Sequence, residues 1–347
     1  MKKNDICAVI TLTEISASLE PLTMKRPIGA LPFASRFRII DFNLSSLGAA
    51  GVKSVGLFIG KSGRSIYDHV RSGNPWGFES HINGGIFTFS QQFYKYSLGE
   101  ARGYDDFYED LIELVKRSHV GYVFISGSKT IANIDLNDVK AFHIREKCDI
   151  TEMIDENGRK LNKYLLPTSK LYELIYRAVD EKVYVEVADL VRYYLNQEQV
   201  SQYVHHGYTA IISHVNDYFQ ANMDMLDPVK FKSLFYDTNP VVTKGRNGAP
   251  TFFTQDSKVV NSLIATDCVI RGHVNKGVIS RRVHIDEDAQ VNHAVVLQGC
   301  HIAKGAIVEY AILDKGVQVG EHAIIRGTQD NIKIVTKNEI VSAHEQR

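Results

Sequence analysis

Through the first two thirds of the chain, short apolar runs alternate with stretches of helical periodicity. Residues 8–12 form an apolar run that reads as a buried first strand, followed by a helix over 42–51 and a second strand over 52–59. A helix over 65–71 is closed by turn residues at Ser72, Gly73, Asn74 and Pro75. Phe107, Leu111, Leu114 and Val115 line one face of a helix over 104–116, and residues 122–125 read as the central strand. Residues 148–151 are strand-like and meet a turn after Glu152. Thr151-Glu152 has no turn chemistry of its own, so residues absent at this junction are one reading of it. Helices are expected over 169–179, with Ser169 as N-cap, and over 188–195. This grammar predicts an α/β domain, a Rossmann-like, mostly parallel sheet with helices on both faces. Its ligands would lie beyond the carboxyl ends of the strands.

The spacing then changes. Ile264, Ile270, Ile279, Ile285, Val291, Leu297, Ile302, Val308, Leu313, Val319 and Ile325 recur at or near every sixth residue, with Ala265, Ala289, Ala303 and Gly320 at the corners. A six-residue apolar period suits neither a helix nor a flat strand. It suits a β-helix of hexapeptide repeats, here about four coils at three hexapeptides each. The domains expected are 1–237, a Gly/Pro-rich linker over 238–258, and a β-helix over 259–347.

Charge narrows the function by exclusion. Lys+Arg and Asp+Glu are 40 each, so no global field favours nucleic acid or an anionic membrane. Cys7, Cys148, Cys268 and Cys300 are scattered without CxxC spacing, which argues against a zinc site and a secreted disulfide framework. No apolar run is long enough to span a bilayer, and a cytoplasmic location is expected.

Leu19-Glu-Pro-Leu-Thr23, Lys25-Arg26, Leu31-Pro-Phe33 and Arg38-Ile-Ile-Asp-Phe42 resemble the N-terminal signature of the glucose-1-phosphate adenylyltransferase (ADP-glucose pyrophosphorylase) family. Gly207-Tyr208 and Ala221-Asn222-Met223 continue the resemblance, and the hexapeptide repeats match the left-handed β-helix that ends those enzymes. The resemblance implies a phosphate loop, three glycines and an arginine, at Thr13, Glu14, Ser16 and Ser18, and a lysine at Ile28. It implies metal-binding carboxylates at Ser128 and Ile211, and a nucleotide-contacting segment at Arg102, Gly103, Tyr104 and Asp105, where only the acid matches.

None of the catalytic groups is therefore expected here. Glycines let backbone N–H groups close on a phosphate, and cations neutralise pyrophosphate. A carboxylate at Glu14 instead opposes a phosphate by roughly 4 kcal/mol at about 4 Å and an effective dielectric near 20. Lys129, beside Ser128, repels a divalent cation.

The resemblance is to the non-catalytic regulatory subunit of the glycogen-synthesis enzyme of Gram-positive bacteria. It implies a hetero-oligomer, a tetramer by expectation, with a catalytic glucose-1-phosphate adenylyltransferase subunit, and Mg²⁺ only in that partner. Lys25, Arg26 and Arg38 match positions that bind sugar-phosphate effectors, with Arg36 beside them. The alternatives are a divergent but active sugar-phosphate nucleotidyltransferase and an acyltransferase using a repeat histidine, His273, His284, His293, His301 or His322.

Overall fold

A computed structural model describes residues 5–14, 16–60, 62–78, 84–90, 107–245 and 247–347. The segment at Arg102 to Asp105, and with it the start of the helix expected over 104–116, lies outside these. The helix itself is described as Glu109–Ser118.

Seven strands form the sheet of the N-terminal domain. From edge to edge these are Val200–His205, Ile150–Asp155, Lys160–Pro167, Tyr122–Ser126, Ile6–Leu12, Ser54–Ile59 and Gly85–Ser90. All pairings are parallel except those of Lys160–Pro167, which runs against both neighbours. The strand Ile6–Leu12 is buried along its whole length, as a central parallel strand covered on both faces must be. One face carries Ala8, Ile10, Leu57 and Phe124 against the helix Ile39–Ala49. The other carries Val9, Val123 and Ile125 against Glu109–Ser118, Thr168–Asp180 and Val187–Tyr194.

Three local readings change. The helix expected from residue 42 begins at Ile39, because the Asp41 carboxylate accepts the Arg38 backbone N–H (2.9 Å) and caps the first turn. Ser169 is not an N-cap. Pro167 ends the preceding strand and holds that position, and Thr168 opens the helix while its N–H and hydroxyl donate to Gly121 and Val120 carbonyls. Thr151 and Glu152 are no junction with a turn but sit inside the strand Ile150–Asp155, buried between Val200–His205 and Lys160–Pro167.

The C-terminal domain is a left-handed β-helix of stacked parallel strands. Successive rungs pair His273 with Gln290, Gln290 with Ile307 and Ile307 with Ile324, so these middle coils take 17 residues rather than 18, while the pairing of Val269 with His284 spans 15 and that of Gln318 with Ile340 spans 22. The apolar spacing is therefore six, six and five, which is why the repeat reads as near six. Corners are turned by left-handed residues, among them Lys276, His293 and Tyr310. Parallel pairing already starts at Phe252–Phe253, inside the stretch read as linker, because these residues form the outer rung on Val269–Ile270.

The two halves meet through an apolar layer. Leu19, Leu22, Ile28, Leu31 and Phe33 from the N-terminal domain pack with Val278, Val295, Leu297 and Ile312 from the β-helix. Each such side chain fully buried contributes about 1.5–3 kcal/mol, so this contact fixes the β-helix against the loop that follows the first strand.

Candidate functional site

The first strand delivers Thr13 and Glu14 to the carboxyl end of the sheet, and the central strand delivers Ser126, Gly127 and Ser128 beside them. The Glu14 carboxylate accepts hydrogen bonds from the Ser128 backbone N–H (2.6 Å) and hydroxyl (2.5 Å). It lies directly over Gly127, where an added Cβ would come within 2.5 Å of Glu14 Oε1. Burial raises the Glu14 carboxyl above its ordinary range, opposed by the bonds from Ser128 and by the charges of Lys129 and Lys163. The two loops that would flank a bound phosphate are thus bonded to each other.

Ser16 extends that closure, its hydroxyl donating to the Ser213 carbonyl (2.6 Å) next to the strand Thr209–Ile211. Ile211 pairs with Thr130, two residues beyond Ser128. The other positions are elsewhere: Ser18 is exposed and Ile28 is in the apolar interdomain layer. A divalent cation does not fit this place. A hydroxyl at Ser128 and a branched apolar side chain at Ile211 stand where the resemblance implies two metal-binding carboxylates, and the Glu14 carboxylate beside them is held by Ser128.

Beneath the loop lies a lysine that sequence reading passed over. Lys163, 1% exposed, donates to Asn43 Oδ1 and to Ser126 Oγ (2.9 Å). Burial pushes its ammonium down to about 7, with Glu14 pulling the other way. His205, at the end of the edge strand, is pushed down to about 4 by burial and by Lys163. The signal for Lys163 in the sequence is a lysine between Leu161 and Tyr164-Leu165, a charge where the strand alternation calls for an apolar residue.

A second cleft, about 420 Å³, opens between the domains. Arg36, Arg38, His69, Lys244, Arg281 and Lys315 contribute to its wall, which includes no Asp or Glu among the described residues. The Arg38-Ile-Ile-Asp41 motif builds it. One Asp41 oxygen caps the helix at Arg38 and the other pairs with His69 Nε2 (2.5 Å). His69 packs edge-on against Trp76, whose indole N–H donates to the Val242 carbonyl (3.0 Å). That anchors the interdomain segment so that Lys244, bonded to the Asp68 carbonyl (2.6 Å), reaches the cleft. Lys315 is pushed down to about 7 by burial and by Arg38 and Arg26.

Of the three cations expected to bind an effector, the structure places only Arg38 in this wall. Arg26 is buried, its Nε donating to the Leu22 carbonyl (2.7 Å) and its guanidinium paired with Asp314 of the β-helix. Lys25 is exposed and outside the wall. Lys244, Arg281 and Lys315 were not legible, since they come from segments far apart in sequence and converge only when the β-helix docks.

Of the repeat histidines only His284 and His301 meet, edge-on at 6.1 Å between ring centres. His293 stacks on Tyr310 at a corner (4.8 Å), His322 stacks on His344 (5.4 Å), and His301 Nε2 bonds to Asp286 (2.6 Å).

Residues 250–336 match the family of GlmU-like C-terminal hexapeptide domains. Among curated proteins, the chain is 32% identical over 291 residues to the glycogen biosynthesis protein GlgD of Bacillus subtilis (strain 168), covering 84% of each. It is 36% identical over 291 residues to GlgD of Geobacillus stearothermophilus, covering 83% of each. A glucose-1-phosphate adenylyltransferase of Fusobacterium nucleatum is 23% identical over 328 residues, 84% of this chain and 85% of the relative. An identity of this extent, running through both the sheet domain and the β-helix, makes the chain a member of the GlgD family of glycogen biosynthesis proteins.

Proposed function

We propose that the chain is a non-catalytic regulatory subunit in glycogen biosynthesis, acting in the cytoplasm. It would associate with a catalytic glucose-1-phosphate adenylyltransferase subunit and modulate formation of ADP-glucose from ATP and glucose 1-phosphate. The observation that carries this reading is the bond pair between Glu14 and Ser128. A carboxylate fills the place that a phosphate loop would leave open, and it is bonded to the residue that stands where a metal ligand would be. Metal stabilisation of a transferring phosphoryl group is worth several kcal/mol, and each 1.36 kcal/mol is about tenfold in rate. A cleft without it has no useful turnover.

The interdomain cleft supports the regulatory half of the reading. Its arginines and lysines suit a phosphate-bearing effector, because guanidinium groups bind phosphate bidentately without a metal. The test is to assay the purified chain with ATP, glucose 1-phosphate and Mg²⁺, alone and mixed with a catalytic adenylyltransferase from the same organism. The expected result is no turnover alone, co-elution with the partner, and a changed rate or effector response in the mixture. Substantial activity of the chain alone would make it a divergent enzyme. A mixture that neither co-elutes nor differs kinetically from the partner would remove the regulatory role.

A further inference from the structure

The interdomain cleft brings an amine and a set of cationic side chains into one space. Lys315 lines it with Arg36, Arg38, Lys244 and Arg281, and Phe37 and Phe253 add apolar surface. The charged groups acting on Lys315 are Arg38 and Arg26 from the N-terminal domain, and Lys337 and Asp314 from the β-helix, three cations against one carboxylate. Burial favours the neutral amine over the ammonium, these surroundings add to it, and the side chain is pushed down to about 7. A lysine in its ordinary range carries only about one part in a thousand of free amine near neutral pH.

We propose that Lys315 is an acylation site: a small acyl phosphate, held by its phosphate on the cations of the cleft, transfers its acyl group to Lys315 Nζ. This rests on the reading that the cleft accepts a phosphate. The Nζ lone pair forms a bond to the carbonyl carbon, and the bond from that carbon to the bridging oxygen breaks. The electron pair leaves with the phosphate, which takes up the proton lost by nitrogen. Nothing is oxidised or reduced. The same cations that seat the donor stabilise the departing phosphate. The product amide can no longer take up a proton when an anion arrives, so acylation lowers the affinity of the cleft for anions and couples effector binding to acyl-phosphate supply.

The test uses the full chain with acetyl phosphate at about pH 7.5, with the rate of acetylation at each lysine read by mass spectrometry of peptides. Lys315 should label on the order of tenfold faster than exposed Lys25, less than its gain in free amine because a weaker base is a weaker nucleophile. The rate should saturate with acetyl phosphate, and inorganic phosphate should protect. Arg36→Gln, at an exposed side chain, should slow labelling by acetyl phosphate several-fold and leave labelling by acetic anhydride, which has no phosphate, unchanged. Labelling of Lys315 by acetyl phosphate no faster than that of Lys25 overturns the proposal. If phosphate still protects Lys315 from the anhydride in that case, the cleft binds phosphate and only the transfer is refuted. If phosphate protects against neither reagent, the anion-binding reading falls with it.

Discussion

Glu14 and Ser128, 114 residues apart, are joined by two hydrogen bonds to one carboxylate oxygen, at 2.6 and 2.5 Å. The loop after the first strand is thereby closed onto the loop after the central one. The sheet supplies the proximity, since the two strands are parallel neighbours with Ile10 paired to Ser126, and Glu14 and Ser128 follow shortly after their ends.

Glu14→Gln and Glu14→Ala should therefore separate. A glutamine keeps an acceptor for the Ser128 N–H and removes a desolvated charge, so its stability in urea at neutral pH should stay within about 1 kcal/mol of the parent. Alanine leaves the Ser128 donors unmet and should cost about 1–3 kcal/mol. The folded-state carboxyl is raised, so the parent loses stability as pH climbs through its titration range, and the glutamine variant should lose less. Equal unfolding curves for the two variants would mean that the carboxylate does not hold the loop.

Lys163 gives the opposite pH dependence. Its folded-state value is lowered to about 7 from an ordinary 10.5, so over that interval the unfolded chain holds a proton that the folded chain has released. Stability should rise with pH across that interval, by an amount on the order of a few kcal/mol for a group buried this completely. Lys163→Met, of similar length and uncharged, should flatten the slope. Denaturant unfolding at several pH values measures it, and an unchanged slope would assign it to other groups.

The β-helix was legible because its evidence is local. Ile279, Ile285 and Val291 are successive inward positions of one coil path, six residues apart; the next is Val296 rather than the Leu297 that the six-residue count gives, and Leu297 joins the interdomain layer instead. The positions to inspect were legible by contrast, because the frame from Leu19 to Asp41 says where each absent group would stand, but the bond that joins Glu14 to Ser128 across 114 residues was not. The partners of individual charges were not. Nothing near Arg26 in the sequence announces Asp314, 288 residues away, and the pair forms only when the β-helix packs on the apolar layer around Ile28 and Ile312. A buried Lys163 likewise depends on Asn43 and Ser126 arriving from two other elements.

Breaking the Arg26–Asp314 pair should loosen the two domains. Both side chains are buried, so removing one partner strands the other charge, at a cost of about 3–5 kcal/mol. Arg26→Met or Asp314→Asn alone should lower the unfolding temperature and expose the interdomain segment around Lys244 to limited proteolysis. The double variant Arg26→Met with Asp314→Leu replaces the pair by apolar contact and should recover most of the loss, because a buried ion pair is worth little more than its hydrophobic replacement. A double variant no better than either single one would show that the pair supplies more than its own cancellation of charge.

Anion binding should follow the cleft rather than the short basic segment. Titration with inorganic pyrophosphate by calorimetry should show about tenfold weaker binding for Arg36→Gln or Lys244→Gln, the scale of one charge-assisted hydrogen bond. Lys25→Gln, outside the wall, should leave it unchanged. Affinity should fall as salt screens the cations and as pH rises above about 7, where Lys315 loses its proton. Burial first, and then the charges of Arg38, Arg26 and Lys337, hold that loss near neutrality, while Asp314 opposes them. Pyrophosphate binding that depends on Lys25 and ignores Lys244 would relocate the site to the exposed basic turn.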